Sequence, residues 1–203
     1  DRLARDIAEV RPTVMTVVPR LFEVLERRMD RDVAKRGAFA RWAWHKTIAL
    51  GARRHRNGGR LPPIHDLMDR LIGRTVRRQV SARFGGRLKA LVSGGAALDT
   101  RVAETFVALG VPVYQGYGQT EASPVIACNR PGDVRLATVG PPLDSVTVRI
   151  AEDGEILVRG ESVMAGYWHR PEETAAALAG GWLHTGDIGN LEPDGHLQIT
   201  DRK

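Results

Sequence analysis

Two short apolar runs, Leu88–Val92 (LKALV) and Val111–Tyr114 (VPVY), each end in a glycine-bearing loop and enclose one amphipathic segment. This arrangement constrains the fold more than any other stretch. Asp99 stands where a helix N-cap belongs, Val102, Phe106 and Leu109 share a helical face, and Gly110 supplies a stop. Strand, helix, strand is a βαβ unit, which requires a parallel sheet and places ligands beyond the carboxyl ends of its strands. The two loops at those ends are Ser93–Leu98 (SGGAAL) and Gln115–Glu121 (QGYGQTE). An α/β class follows.

Upstream, Val14–Val18 (VMTVV) between Pro12 and Pro19 reads as a buried strand, and Pro19 opens a helix bearing Leu21, Phe22, Val24, Leu25 and Met29. A second helix is expected over Phe39–Leu50, on which Trp42 and Trp44 cannot share one face. The segment Arg53–Pro63 reads as a basic surface loop. Ile64, Leu67, Met68, Leu71, Ile72, Val76, Val80 and Phe84 trace an apolar stripe that Gly85-Gly86 ends. Beyond Pro131-Gly132 the texture becomes short alternating strands and tight turns: Val146–Ile150, Glu155–Arg159 and His196–Thr200, with turns at Asp153-Gly154 and Asp194-Gly195. The expected division is an α/β region over 1–130 with an Arg-rich helical insertion at about 20–86, and a small antiparallel, barrel-like β region over 131–200.

Of the 203 residues, 30 are Lys or Arg and 24 Asp or Glu, but the resulting +6 is unevenly spread. Residues 1–90 carry +13 and residues 91–203 carry −7. A solvated helical face is the ordinary reading of such a balance; the competing one is a basic module for anionic membrane or nucleic acid. Aromatic residues make up 5% and do not alternate with basic ones, which disfavours nucleic acid. The single Cys128 excludes an internal disulfide framework and a multi-cysteine zinc site, and fits a reducing compartment. The six histidines show no paired metal spacing, leaving structural or surface roles as their default.

The chemistry concentrates in two places. In Gly116-Tyr117-Gly118-Gln119-Thr120-Glu121, glycines admit close backbone approach, the tyrosine ring offers a flat face, the threonine hydroxyl can donate to phosphate oxygens, and the glutamate is a hard oxygen ligand suited to Mg²⁺. In Trp182-Leu183-His184-Thr185-Gly186-Asp187-Ile188-Gly189, Asp187 could accept from a ribose diol, although an Asp beside Gly is more often a turn residue.

Taken in order, SGGAAL, QGYGQTE, GEILVRG, MAGYW, GWLHTGDIG and ITDRK resemble the adenylate-forming acyl-CoA synthetase superfamily. The Arg-rich insertion between VPRLFEVL and GGRLKALVSGGAAL is similar to that of its long-chain fatty acid CoA ligase branch. The resemblance implies activation of a fatty acid with ATP to an acyl-adenylate, then transfer to coenzyme A, by a cytoplasmic enzyme with possible attachment to membrane. It assigns Gly94, Gly95 and Ala96 to the adenine-side wall, and Gln115, Gly116 and Tyr117 to the adenine frame. Thr120 falls to the α-phosphate, Glu121 to Mg²⁺, and Asp187 with Arg202 to the ribose. Asp201 falls to a hinge beginning at 201–203, ahead of a C-terminal domain. A Lys-bearing phosphate loop and that domain are not among the 203 residues, so the segment by itself is expected not to form acyl-CoA. A non-catalytic relic of the fold is the remaining alternative, against which the retention of Thr120, Glu121, Asp187 and Arg202 argues.

Overall fold

The computed structural model describes residues 2–203, which divide by packing after Val113 into two compact units. The first opens with α1 (Arg2–Val10), which the sequence did not announce, and β1 (Val14–Val17). Three helical segments follow: α2 (Pro19–Ala34), α3 (Ala38–Arg56), and a run made of α4 (Pro63–Met68), a π turn over Asp69–Gly73 and α5 (Arg74–Arg83). Next come β2 (Ala90–Ser93) and α6 (Thr100–Ala108).

β1 and β2 pair in parallel, Val14 opposite Ala90 through Val17 opposite Ser93. Leu91 N–H donates to Pro112 O at 2.8 Å, tying the segment after α6 to β2. Asp99 caps α6 as expected, its carboxylate accepting from the N–H groups of Arg101 and Val102. The helices pack through Phe22 and Phe106, whose rings meet edge to face at 5.0 Å with neither exposed. Trp44 is buried and donates its indole N–H to Asp30, whereas Trp42 remains half exposed, so the two tryptophans do face different ways.

Two expectations need correction. The basic segment expected to be a loop from Arg53 instead extends α3 to Arg56, leaving only residues 57–62 irregular. The apolar stripe is helical but does not face one way: Ile64 is 71% exposed and Leu71 68%, against 2% for Val80 and 3% for Phe84. Steps of four residues, which dominate from Met68 to Phe84, overshoot an α-helical turn by about 40° each, so the line winds around the helix. The buried line in the earlier half runs through Asp69 and Gly73. Asp69, 2% exposed, accepts from Arg77 at 2.7 Å and pairs with Arg54 at 3.1 Å, while Arg77 also donates to Ala108 O at 2.9 Å. This buried carboxylate ties α3, the π turn, α5 and α6 together.

The second unit, from Tyr114, takes in β3 (Val113–Gly118) from its second residue onward, a 3₁₀ turn at Thr120–Ala122 and β4 (Val125–Cys128), followed by β5 (Val146–Ile150) and β6 (Glu155–Gly160). After these come α7 (Pro171–Ala177), β7 (Leu183–Leu191) and β8 (Leu197–Arg202). β3 and β4 pair antiparallel, and β5, β6, β7 and β8 form an antiparallel sheet in that order. Ala122, Ile126 and Ala127 from the first part of this unit pack in one apolar cluster with Val146, Ile156, Val158, Leu183 and Leu197. The segment from Asn129 to Gly140 is bound on both sides. Gln115 Nε2 donates to Leu136 O at 2.5 Å and Asn129 Nδ2 to Thr138 O at 2.9 Å, while Leu197 N–H donates to Gly140 O and Val139 N–H to Leu197 O. His196, buried at 2% exposure, sits 3.3–3.4 Å from the carboxylates of Asp194 and Asp133, a structural place in keeping with the sequence default.

Candidate functional site

Tyr117 lies on β3, so the QGYGQTE segment is not the loop the sequence suggested but strand as far as Gly118. The reason is a close approach: a Cβ on Gly118 would lie 1.7 Å from Pro124 O, so only glycine lets the chain double back here into the 3₁₀ turn and β4. The strand then presents Tyr117 towards β7, where its hydroxyl donates to Asp187 Oδ2 at 2.6 Å. Burial, followed by this bond to a carboxylate, pushes the Tyr117 phenol well above the ordinary tyrosine range.

Asp187 is not in a turn either. It stands in β7 directly across from Arg202 in β8, with Arg202 Nε 3.7 Å from Oδ1 and the Asp187 side chain only 17% exposed. The pairing of β6 with β7 runs from Glu155 opposite Ile188 to Leu157 opposite His184, so three residues, Thr185, Gly186 and Asp187, face the single Ile156. Such a bulge bends the strand and re-aims its side chains. Gly186 takes φ of +72°, and Thr185 Oγ1 donates to Ile156 O at 2.8 Å while accepting from Asp187 N–H at 3.1 Å.

Behind the bulge lies Glu155, 5% exposed, to which the sequence reading gave no role. Its Oε1 accepts from Gly186 N–H at 2.9 Å, and its Oε2 lies 3.0 Å from His184 Nδ1 and 3.1 Å from Lys203 Nζ. Burial opposes its ionisation, but His184, the Gly186 N–H and Lys203 outweigh that and hold its carboxyl below the usual range. His184, one of the six histidines given a structural or surface default, thus orients towards this carboxylate.

Thr120 is exposed at the head of the 3₁₀ turn, and Glu121 follows it. Glu121 Oε1 accepts from Tyr167 Oη at 2.7 Å, and Met164 N–H donates to Glu121 O at 2.8 Å. The bond to Glu121, with some burial, raises the Tyr167 phenol above its ordinary value. Tyr167 belongs to the MAGYW segment and was a second omission from the sequence reading. The only signal available for it was its place in an ordered motif, because nothing local distinguishes it from an exposed aromatic.

The structure therefore brings together Tyr117, Asp187 and Arg202, and separately Glu121 with Tyr167. Gln115 is buried on β3, its side chain engaged by the 129–140 segment, and Gly116 pairs with Cys128 across β3 and β4. Gly94, Gly95 and Ala96 follow β2 in the first unit, Gly94 N–H donating to Val17 O and Gly95 taking φ of +83°. No cluster of three or more His, Cys, Asp or Glu able to hold a metal occurs among the described residues. Cys128 is half buried, and burial pushes its thiol up against a weaker pull from Arg130, which makes it a poor nucleophile.

The chain is 37% identical over 205 residues to the long-chain-fatty-acid–CoA ligase FadD15 of Mycobacterium tuberculosis, covering 97% of this chain and 33% of the relative. It is 36% identical over 216 residues to long-chain-fatty-acid–CoA ligase 1 of Homo sapiens, covering 99% and 30%. The chain thus spans about a third of the length of the curated relatives it matches. Among solved structures, O-succinylbenzoate coenzyme A synthetase MenE from Bacillus subtilis, in complex with AMP, matches 100% of this chain and 34% of its own. The TM-score is 0.66 at 22% identity, a likeness of fold. Residues 1–168 match the family model described as AMP-binding enzyme, and the chain belongs to that family.

Proposed function

We propose that this chain supplies the adenylate-binding part of a long-chain fatty acid–CoA ligase. The observation that carries the reading is the meeting of Tyr117 with Asp187, 70 positions apart, through a 2.6 Å hydrogen bond flanked by Arg202. An aromatic face for a base and a carboxylate for a sugar diol then belong to one constellation. Tyr117 stacks on adenine beside Gln115 and Gly116. Asp187, with Arg202, accepts from the ribose hydroxyls.

In the reaction proposed, a fatty acid carboxylate oxygen attacks the α-phosphorus of ATP and pyrophosphate leaves. The thiol of coenzyme A then attacks the acyl carbonyl and AMP leaves. Charge builds on the α-phosphate, so preorganised donors are what the protein must provide, and no protein nucleophile is required. Thr120, exposed at the head of its turn, donates to an α-phosphate oxygen. Mg²⁺, when bound, would neutralise phosphate charge, and a single carboxylate is enough to hold it, because this ion commonly keeps waters and phosphate oxygens as its other ligands. Glu121 fits that demand: its carboxylate is fixed by Tyr167 through one oxygen, and no rival metal cluster surrounds it among the described residues.

Titration calorimetry of the chain with AMP, with ATP and Mg²⁺, and with a non-hydrolysable palmitoyl-adenylate analogue tests the reading. Binding of all three is expected, with Glu121→Gln weakening only the Mg²⁺-dependent part of ATP binding. Absence of heat and of thermal stabilisation at millimolar concentrations of each ligand sinks it.

A peripheral contact with anionic membrane is supported by a separate observation. On the arginine-rich first unit Phe39 is 77% exposed and stacks near the half-exposed Trp42, ring centroids 5.7 Å apart. Basic surface carrying exposed aromatic rings suits a lipid interface. Co-sedimentation with phosphatidylserine vesicles that falls as salt rises, and is reduced by Trp42→Ala, is the expected result; no sedimentation at low salt removes the contact.

A further inference from the structure

We infer that Glu155 is a positioning residue for Asp187, acting through the β-bulge at Thr185-Gly186-Asp187. The inference rests on the assignment of Asp187 to the ribose. Three facts make the bulge a device and not an irregularity. It places three residues opposite Ile156 alone, which turns the Asp187 side chain out of simple strand alternation. Its middle residue has a positive φ that leaves the Gly186 N–H directed out of the ladder, and the one acceptor that N–H finds is a carboxylate almost wholly removed from solvent. Its flanks are closed by a hydroxyl bridging Ile156 O and Asp187 N–H, and by Lys203 N–H donating to Gly186 O at 2.7 Å.

A buried carboxylate is costly unless its oxygens are filled, and here both are. Oε1 holds the Gly186 N–H, and Oε2 is shared by His184 Nδ1 and Lys203 Nζ, with Asp153 Oδ2 taking a second bond from the same ammonium at 2.5 Å. The partners lie 29, 31 and 48 positions from Glu155, on β7 and just beyond β8. One side chain on β6 thereby fixes the strands on which Asp187 and Arg202 stand. Without it, the Gly186 N–H has no acceptor, the bulge is free to relax, and the carboxylate of Asp187 loses its heading.

A purely structural role and a positioning role differ in what they do to ligand discrimination. If Asp187 reads the ribose diol, the wild-type chain binds AMP more tightly than 2′,3′-dideoxy-AMP, by about tenfold, the lower end for a single hydrogen bond to a carboxylate in a site open to water. Chemical-shift titration of the chain with both nucleotides measures that ratio. In Glu155→Ala the ratio is expected to fall towards one while dideoxy-AMP affinity stays within about twofold, because the remaining contacts are not made by the bulge. Glu155→Gln, which keeps an oxygen for Gly186 N–H, is expected to restore most of the ratio. Should Glu155→Ala fail to fold, Glu155→Asp, which keeps the charge but withdraws the acceptor, gives the same readout. A wild-type ratio of one overturns the ribose assignment and the inference with it. A wild-type ratio near ten that persists unchanged in Glu155→Ala or Glu155→Asp overturns the inference alone, as does an equal loss of affinity for both nucleotides.

Discussion

Replacing Tyr117 by Phe keeps the ring and deletes the one oxygen that joins β3 to Asp187. A hydrogen bond to a charged group contributes about 1.5–3 kcal/mol net. Asp187 is 17% exposed at its side chain and keeps Arg202 at 3.7 Å, so water and the guanidinium recover part of the loss. The lower end, about 1.5 kcal/mol at pH 7, is therefore expected, roughly a tenfold change in the folding equilibrium. With a urea slope of about 1–3 kcal/mol/M, the midpoint falls by about 0.5–1.5 M with the slope unchanged. The effect has a pH signature as well. Because the folded phenol has its pKa above 10, the folded state holds that proton more tightly than the unfolded chain. The contribution is complete below about pH 10 and is lost as pH rises from there through the folded value. Tyr117→Phe should remove this alkaline decline, and ultraviolet titration at 295 nm should lose its latest-ionising tyrosine. An unchanged urea midpoint together with an unchanged alkaline limb would refute the assignment of the bond.

Other consequences are equally checkable. Gly118→Ala sets a Cβ 1.7 Å from a backbone oxygen, which no side-chain adjustment relieves, so a loss on the order of 3 kcal/mol or failure of the second unit to fold is expected by circular dichroism and urea melting. Asp69→Asn leaves Arg54 and Arg77 facing a neutral amide. Removing one partner of a buried pair costs about 3–5 kcal/mol, and the partial exposure of both arginines, 33% and 27%, brings the expected loss to about 2–3 kcal/mol by thermal unfolding. Glu155 holds its folded pKa below the unfolded value, so its stabilisation is present above about pH 4.3 and disappears as pH falls through the lowered folded value. Acid unfolding of Glu155→Gln should accordingly be shallower than that of the wild type in that window; parallel curves would contradict the clamp.

What could be read from the sequence was what short range decides. The Asp99 cap, the strand entering SGGAAL and the helix opened by Pro19 each depend on residues a few positions apart, and each is found. Gly118 looked like loop because glycines favour loops, yet it is strand because Pro124 O needs the space that its missing Cβ leaves. Asp187 looked like a turn residue for the same local reason, and its place in a bulged strand is decided by pairing with β6 and β8. Glu155 was the hardest to see. A glutamate after Asp153-Gly154 and ahead of Ile156-Leu157-Val158 reads as the solvated end of a hairpin, and alternation cannot reveal that His184, Gly186 and Lys203 arrive to cover it. Motif order singled out Tyr117, Glu121, Asp187 and Arg202 for the proposed site because the chemistry of an adenylate calls for their residue types. The side chains proposed to position them, Glu155 behind Asp187 and Tyr167 hydrogen-bonded to Glu121, carry no such chemical signature. Their identity depends on geometry between strands, so variants at these two positions separate the aim of the site from its chemistry more cleanly than changes to the four recognised side chains.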